Sequence, residues 1–496
     1  MLRKLRITLG VISFVLVTLL FVDFTGTAHA WLGWLAKIQF LPALLALNLG
    51  VVVFLVVLTL LLGRVYCSVI CPLGIMQDIF AWFGKKQKKY RYSYSPAKSI
   101  LRYVFLAIMV IAIILGVGVV VSLLAPYSAY GRIAQNLFAP VWAEANNLLA
   151  AVAEHYESYA FYKTEVWIRS WTVFGVAAAT FVILGVLAWR NGRTYCNTVC
   201  PVGTVLGFIS RFSILAPVID KNKCNACGLC SRNCKASCID GKNHAIDYSR
   251  CVACMDCIGT CAHDAISFGL RKRAVAKAPE SSAAETVSTG RRTFVITGLA
   301  TIGAAAVKAQ EVKVDGGLAE IEDKAIPQRA TRIVPPGAIS LDNVADHCTS
   351  CQLCIQACPN GVLRPSESLD WLMRPESNYE RGYCRPECTR CSDVCPTGAI
   401  RPIDLAEKSS IQVGHAVWVK KNCLVLTDDI DCGNCERHCP VHAIQMVNSV
   451  PGDDSSKKIP VVNAERCIGC GACENLCPAR PFTAIYVEGH ENHRTV

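Results

Sequence analysis

Twenty-four of the 29 cysteines fall into six sets of four, and thiolates at this spacing hold [4Fe–4S] cubanes. The cleanest set reads Cys348-x2-Cys351-x2-Cys354-x3-Cys358 with Pro359 after it, and Cys467, Cys470, Cys473 and Cys477, followed by Pro478, repeat it. Cys224, Cys227, Cys230 and Cys234 form a third copy in which Lys235 replaces the proline; Cys251, Cys254, Cys257 and Cys261 also lack it. Two looser sets are Cys384-x3-Cys388-x2-Cys391-x3-Cys395-Pro396 and Cys423-x8-Cys432-x2-Cys435-x3-Cys439-Pro440. In such runs three thiolates hold one cubane and the fourth reaches its neighbour. Crossed pairing therefore predicts six clusters in three pairs. The first pair is Cys224, Cys227, Cys230 with Cys261, and Cys251, Cys254, Cys257 with Cys234. The second is Cys348, Cys351, Cys354 with Cys395, and Cys384, Cys388, Cys391 with Cys358. The third is Cys423, Cys432, Cys435 with Cys477, and Cys467, Cys470, Cys473 with Cys439. Disulfides would not need four thiols within eleven residues, and zinc sites usually pair C-x2-C arms across a longer loop.

A chain of 496 residues that is 52% hydrophobic and only 18% charged is too long for one domain and too apolar for a purely soluble protein. Four apolar stretches are long enough, or nearly so, for a hydrocarbon core of roughly 30 Å. They run from about Ile7 to Phe24, Phe40 to Leu62, Tyr103 to Leu124 and Trp171 to Trp189, and apart from Asp23 at one edge none contains a charged residue or histidine. Basic residues mark the cytoplasmic ends. Arg3, Lys4 and Arg6 precede the first stretch, and Arg64, Lys85, Lys86, Lys88, Lys89, Arg91, Lys98 and Arg102 lie between the second and third. The chain then returns to the cytoplasm at Arg190, which puts the clusters of Cys224 to Cys261 there.

The membrane region carries its own repeat. Gly63-Arg64-Val65-Tyr66-Cys67-Ser68-Val69-Ile70-Cys71-Pro72-Leu73-Gly74 matches Gly192-Arg193-Thr194-Tyr195-Cys196-Asn197-Thr198-Val199-Cys200-Pro201-Val202-Gly203 at seven of twelve positions. Each copy follows an outward-to-inward stretch and ends in C-x3-C-P, so the region reads as two parallel helix pairs. Cys67, Cys71, Cys196 and Cys200 are open to three readings: a four-thiolate metal or cluster site between the repeats, two redox-active thiol pairs, or a packing motif. Cys238 reads as a spare thiol.

Gly290-Arg291-Arg292-Thr293-Phe294-Val295, with a modestly apolar run to Val307, resembles a twin-arginine export signal placed inside the chain. A domain folded around cubanes cannot be threaded through an unfolded-chain translocon, which is a reason to use that route. Residues 311–496 hold 19 Lys+Arg and 25 Asp+Glu, net −6, against +18 for the remainder. The basic excess therefore reads as cytoplasmic anchoring and not as a nucleic-acid patch. The expected fold class is multi-domain: an α-helical membrane domain joined to α+β ferredoxin-like [4Fe–4S] modules. Its parts are a four-helix membrane domain (1–205), a cytoplasmic two-cluster module (206–270), a linker with a signal or anchor helix (271–310) and an exported four-cluster domain (311–496). Both ferredoxin pairs of the last part are expected to be β-α-β-β-α-β-like.

The C-x3-C-P repeat followed by a two-cluster segment resembles NapH, the membrane subunit of a quinol dehydrogenase. The second half, with its Arg-Arg run, Val334-Pro335-Pro336-Gly337-Ala338 and Gly361-Val362-Leu363-Arg364-Pro365, resembles NapG and MauM. The resemblance implies two such subunits fused in a bacterial inner-membrane protein that passes electrons between the quinone pool and a periplasmic cytochrome c or terminal reductase. No C-x-x-C-H occurs for covalent haem, no histidine lies in the four stretches, and no nucleotide loop is present. Quinol oxidation releases protons, so its site needs ionisable groups near the bilayer edge. The candidates are Glu154, His155, Tyr156 and Glu157, and secondarily Asp23 and His29. Electron entry from a cytoplasmic reductant is an alternative. Another is a role as accessory reductase in the maturation or copper handling of a second enzyme, as the first half's similarity to FixG/CcoG-type proteins implies. Cytoplasmic and exported clusters would be separated by roughly 30 Å of hydrocarbon, a gap that something must bridge.

Overall fold

The computed structural model describes residues 2–87, 92–271 and 323–495. The Arg291-Arg292 run, Lys88, Lys89, Arg91 and nearly all of the expected linker lie outside the described residues.

Two helices among the described residues are long and apolar enough to cross a membrane, Leu2–Val22 and Trp171–Asn191, each of 21 residues. At about 1.5 Å per residue each measures about 30 Å. The other two apolar stretches are split. Phe40–Leu45 and Leu49–Leu62 are separated where Leu47 takes a φ of 52°, and Asn48 caps the second segment by accepting the Val51 N–H at 3.3 Å. Ser99–Ile114 and Gly118–Leu124 are separated at Gly116, φ 69°. Tyr66 and Tyr195, equivalent residues of the repeat, hold the broken pieces. The Phe40 N–H donates to the Tyr66 hydroxyl at 3.1 Å, and the Tyr195 hydroxyl donates to the Leu124 carbonyl at 3.2 Å. The outward faces of these helices are apolar: Val53, Phe54, Ile111, Val182 and Ile183 are all more than half exposed, where a helix facing water would carry polar residues.

Three cysteine-rich modules follow. In the first, strands Leu215–Ile219 and Ile266–Leu270 pair antiparallel around helix Leu229–Asn233, the hairpin Ile239–Asp240 with Ala245–Ile246, and the short turn Ile258–Thr260. The third repeats this order, with Ile411–Trp418 paired to Ile485–Thr495 and Ile444–Asn448 paired to Lys458–Val462. The second departs from the expected pattern. It holds the hairpin Leu363–Pro365 with Pro375–Ser377 and helices Leu341–His347, Leu353–Ala357 and Arg390–Asp393, with no outer strand pair among the described residues. The last strand of the third module reaches over it instead: Ser340 bridges Asn492, and the His493 N–H donates to the Ile339 carbonyl at 2.7 Å. One buried core runs from Val17 and Phe21 through Cys67, Cys71, Cys196 and Cys200 to Cys351, Leu353 and Cys354.

Candidate electron-transfer sites

The fold brings the crossed cysteine sets together. Cys224, Cys227, Cys230 and Cys261 line one cavity with Ile219 and Ile266. Cys423, Cys432, Cys435 and Cys477 line another with Trp418, Leu424 and Met446, so the wide Cys423 to Cys432 gap is only a loop that returns. Cys257 lies within electrostatic reach of Cys254, Cys251 and Cys234; Cys354 of Cys348, Cys351 and Cys395; Cys391 of Cys384, Cys388 and Cys358. Cys470 neighbours Cys467 and Cys439, and Cys473 neighbours Cys470 and Cys467. The last cysteine of several runs accepts a backbone N–H a few residues on, as a cluster-bound sulfur does: Ala265 to Cys261 at 3.3 Å, Ile400 to Cys395 at 3.4 Å, Ala443 to Cys439 at 3.2 Å and Ala484 to Cys477 at 3.3 Å. Among the described residues no group of three or more His, Cys, Asp or Glu stands as a single-ion site. Four thiols brought to one cavity, with backbone N–H groups donated to their sulfurs, fit the cubanes that their spacing implies.

Cys238 is more than a bystander. Its sulfur lies 3.5 Å from that of Cys234 and also neighbours Cys251. Its hydrogen bond, backed by backbone N–H groups, draws the Cys234 thiol down to about 7. Its position four residues after Cys234 was the only sign of this in the sequence.

The two C-x3-C-P motifs also meet. Cys67, Cys71, Cys196 and Cys200 are each at most 5% exposed, and each is within electrostatic reach of the other three. Two arginines cross between the repeats. Arg64 donates to the Cys196 carbonyl at 3.1 Å and lies 3.8 Å from the Cys67 sulfur; Arg193 donates to the Cys67 carbonyl at 2.7 Å and lies 3.7 Å from the Cys196 sulfur. The glycine that ends each motif makes room for this exchange. A Cβ on Gly74 would stand 2.6 Å from Arg193, and one on Gly203 would stand 2.8 Å from Arg64.

The first helix gives the order of these parts. Arg3 pairs with Asp256 of the first module at 2.9 Å, and Arg6 pairs with Asp78. Gly10 packs against the Ser68 carbonyl, beside Cys67. Thr18 bonds Tyr130, and Phe21 packs on Tyr127, Tyr130 and Gly131, whose missing side chain lets the Cys351 carbonyl of the second module approach. The first and second modules thus sit at opposite ends of a helix about 30 Å long.

Asp78 joins the first module to the helices. It accepts Arg193 Nε at 2.7 Å and Lys235 Nζ at 2.9 Å, and Lys235 reaches on to Asp256 at 3.2 Å. Burial opposes ionisation of Asp78, yet Arg193, Lys235 and Arg6 hold its carboxyl well below the ordinary range. Lysine therefore replaces proline after Cys234 because this position anchors the module. Beside the network lies a cavity of about 620 Å³ walled by Ile7, Val11, Ile75, Ile79 and Trp82, with Asp78, Lys85, Lys235 and Asp256 on its polar side. Burial, with Arg3 and Lys235 close by, lowers Lys85 below the ordinary lysine value.

Glu154, His155, Tyr156 and Glu157 lie elsewhere, at the exposed end of helix Ala139–His155, with Glu154 paired to Lys163 at 2.8 Å. They line neither this cavity nor the smaller one of about 100 Å³ between Val22, Asn136, Trp167 and Gln352. Asp23 accepts the Thr25, Gly26 and Ala28 N–H groups and meets His29 Nδ1 at 3.2 Å, which makes it the turn that ends the first helix.

The family described as 4Fe-4S binding domain matches residues 44–90 and 171–218, and two families described as 4Fe-4S dicluster domain match residues 347–400 and 430–480. An uncharacterized protein of Methanocaldococcus jannaschii is 35% identical over 107 residues, 22% of this chain and 42% of its own length, so the chain spans less than half of that relative. The methylamine utilization ferredoxin-type protein MauM of Paracoccus denitrificans is 33% identical over 164 residues, 32% of this chain and 73% of the relative. The ferredoxin-type protein NapG of Escherichia coli is 29% identical over 179 residues, 34% of this chain and 77% of the relative. No solved structure matches the chain.

Proposed function

The chain belongs to the ferredoxin-type iron–sulfur proteins that include MauM and NapG, and we propose that it is a membrane-bound quinol dehydrogenase that delivers electrons to a periplasmic redox partner. The observation that carries this reading is the pair of cysteine modules at opposite ends of a membrane-length apolar helix. The broken helices join it in the bilayer, where irregular backbone is tolerated when buried in protein, and their apolar outer faces meet lipid. The first module is cytoplasmic, as the basic residues beside it require; the second and third are periplasmic, reached by the twin-arginine route, in a bacterial inner membrane. The chain would thus join a NapH-like half to a NapG-like half. The six crossed cysteine sets hold six [4Fe–4S] clusters, which supply one-electron transfer when bound.

The cavity beside Asp78 is the quinol site in this reading. Its apolar wall suits a quinol ring and tail, while its polar side, with Lys85 and Asp256, faces the cytoplasmic end, where both hydroxyl protons are released as the electrons leave. Lys235 and Arg6 stabilise the quinol anion formed in between. Asn233 and Asp256, next to the Cys234 and Cys257 positions, form the wall toward the first module. Glu154, His155, Tyr156 and Glu157 are the secondary proposal for the quinone edge, at the opposite face.

The test is anaerobic mixing of the purified, reconstituted protein with a short-chain quinol, followed by EPR. Quinol should reduce the first-module clusters, and Ile79→Trp, which fills the cavity, should slow this at least tenfold while dithionite still reduces every cluster. Equal rates in both proteins would move the site away from this cavity. Clusters that stay oxidised with quinol would remove the dehydrogenase reading.

A further inference from the structure

We propose that Cys67, Cys71, Cys196 and Cys200 together hold a seventh iron–sulfur centre, the relay that carries electrons across the bilayer between the first and second modules. The proposal rests on the quinol-to-periplasm reading for its direction but not for its existence.

The first argument is charge. Arg64 is completely buried, yet its partners are Asn197 Oδ1 at 2.8 Å, the Ser249 and Cys196 carbonyls at 3.1 Å and the Cys67 sulfur. No carboxylate is among them. A guanidinium buried without a counter-charge is costly, and the negative groups available beside it are thiolates. Arg193, also fully buried, spends one edge on Asp78 and turns Nη1 toward Cys67 and Cys196, while its Nη2 has no partner. Four thiolates around an iron–sulfur core carry a net negative charge in either oxidation state, which matches the two cations.

The second argument is the donor set. Besides the arginines, Gln77 Nε2 donates to the Cys196 sulfur at 3.2 Å and the Gly203 N–H to the Cys200 sulfur at 3.3 Å; the Gly74 N–H does the same for Cys71. Cys67 lies in the turn Tyr66–Ile70 with Cys71 extended just after it, and Cys196 lies in Thr194–Thr198 with Cys200 extended at the start of Pro201–Ser210, so each motif supplies two neighbouring sulfurs. The repeat then supplies the second pair from across a local two-fold relation.

The third argument is place. On one side Arg64 touches the Ser249 carbonyl, two residues before Cys251, and Asn197 donates to the Ala236 carbonyl at 3.3 Å, two residues after Cys234. Both loops of a single predicted cubane are therefore tied to the four-thiol site. On the other side Tyr195 neighbours Cys196, Cys200 and Cys71 and also Arg132; Arg132 and Tyr127 in turn neighbour Cys351. The site lies at the level of Gly10 on the first helix, leaving about 18 Å of helix to Val22 in place of about 30 Å. Tunnelling falls exponentially with distance, so a centre here divides one prohibitive step into two. Each electron from quinol passes singly from the Cys251 set to this centre and on to the Cys351 set. No bond is made or broken in these two transfers; the quinol's two O–H protons are released to the cytoplasmic side from the quinol site.

Iron and sulfide analysis of the anaerobically purified full chain should find iron beyond the roughly 24 atoms of six cubanes. In dithionite-reduced protein, Cys71→Ser with Cys200→Ser should remove one EPR component and its iron while the six cubane signals remain. Arg64→Gln should move that component's midpoint downward without removing it. Electron transfer from the first to the second module should fall at least tenfold in the double variant. Iron at the six-cubane level in the wild-type protein, or recovery of these four cysteines as a thiol–disulfide couple by differential alkylation, would overturn the proposal. So would wild-type transfer in the double variant. Because dithionite replaces quinol in the first two measurements, their outcome is independent of the quinol site.

Discussion

The first and second modules dock at the two ends of the same helix by opposite physics. The first is held by charge: Asp78, Arg193, Arg6, Lys235, Asp256 and Arg3 form one network, much of it buried. The second is held by close fit, hydrogen bonds and arginines stacked on an aromatic ring, with one exposed ion pair, Arg381 with Glu165 at 3.4 Å. The Cys351 carbonyl presses on Gly131, Asn136 Nδ2 donates to Gln352 at 2.9 Å, Arg374 donates to the Gly116 carbonyl at 3.2 Å, and Arg364 and Arg381 stack on Trp167 at 4.8 and 4.5 Å. The first module follows directly on the last long helix and needs only to be locked in place. The second lies much farther along the chain and is held through these tertiary contacts.

That contrast can be broken at its charged end first. Asp78→Ala leaves Arg193 and Lys235 buried without their partner, a loss of about 3–5 kcal/mol. Thermal unfolding should fall sharply, with the first-module EPR signals lost before those of the others, and adding Lys235→Met should recover part of it. Unchanged unfolding in the single variant would mean that the network is not the anchor.

At the other end, Gly131→Val places a Cβ 2.4 Å from the Cys351 carbonyl and 2.9 Å from Phe21. Overpacking of this kind costs about 1–3 kcal/mol. Hydrogen exchange should rise across residues 348–358 and not across 224–261; equal effects on both would say that the two docks are not independent.

Cys238→Ala sharpens the comparison within the first module. Losing its hydrogen bond to Cys234, worth about 1 kcal/mol, should make one first-module cluster harder to reduce by a few tens of millivolts. Redox titration by EPR reads this directly, and an upward shift would contradict the assigned donor.

The last prediction concerns pH. Burial, then the nearby His490, draw His493 down to about 4 from 6.5. The folded-state value is depressed, so the unfolded chain binds the extra proton between these values. His493 therefore contributes stability that is full above about pH 6.5 and is lost as pH falls toward 4, at most about 3 kcal/mol. Strand Ile485–Thr495, which reaches over the second module, should show lower hydrogen-exchange protection factors at pH 5 than at pH 7, after correction for the intrinsic rates. His493→Phe should flatten that dependence.

The cluster sets were legible in the sequence because a cubane fixes its ligands at short, local spacings. The same logic gave the crossed partners: Cys261 lines a cavity with Cys224, Cys227 and Cys230, and Cys477 lines one with Cys423, Cys432 and Cys435. Long-range partners were not legible. Lys235 looked like a mere departure from the proline rule until Asp78, more than 150 residues earlier, stood beside it. Arg64 reads in the sequence as one of the basic residues that mark the cytoplasmic side and Arg193 as its counterpart in the repeat; the fold buries both and crosses them between the repeats. Hydropathy gave the extent of the second and third apolar stretches but not their breaks, because Leu47 and Gly116 do not interrupt an apolar run. The quinone candidates rest on residue chemistry alone, and Glu154 to Glu157 are exposed, whereas Lys85 reads in the sequence only as one of the basic residues between the second and third stretches and Asp78 carries no signal of its own.

The most direct test of the central claim uses inverted and right-side-out vesicles holding the reconstituted protein, reduced by quinol and then exposed to a membrane-impermeant oxidant on one face. The account predicts that oxidant on the periplasmic face drains all clusters with continued quinol turnover, while on the cytoplasmic face it reaches the first-module clusters directly. Draining of the Cys348 to Cys477 clusters directly from the cytoplasmic face, with no effect of oxidant outside, would place every module on one side and contradict it.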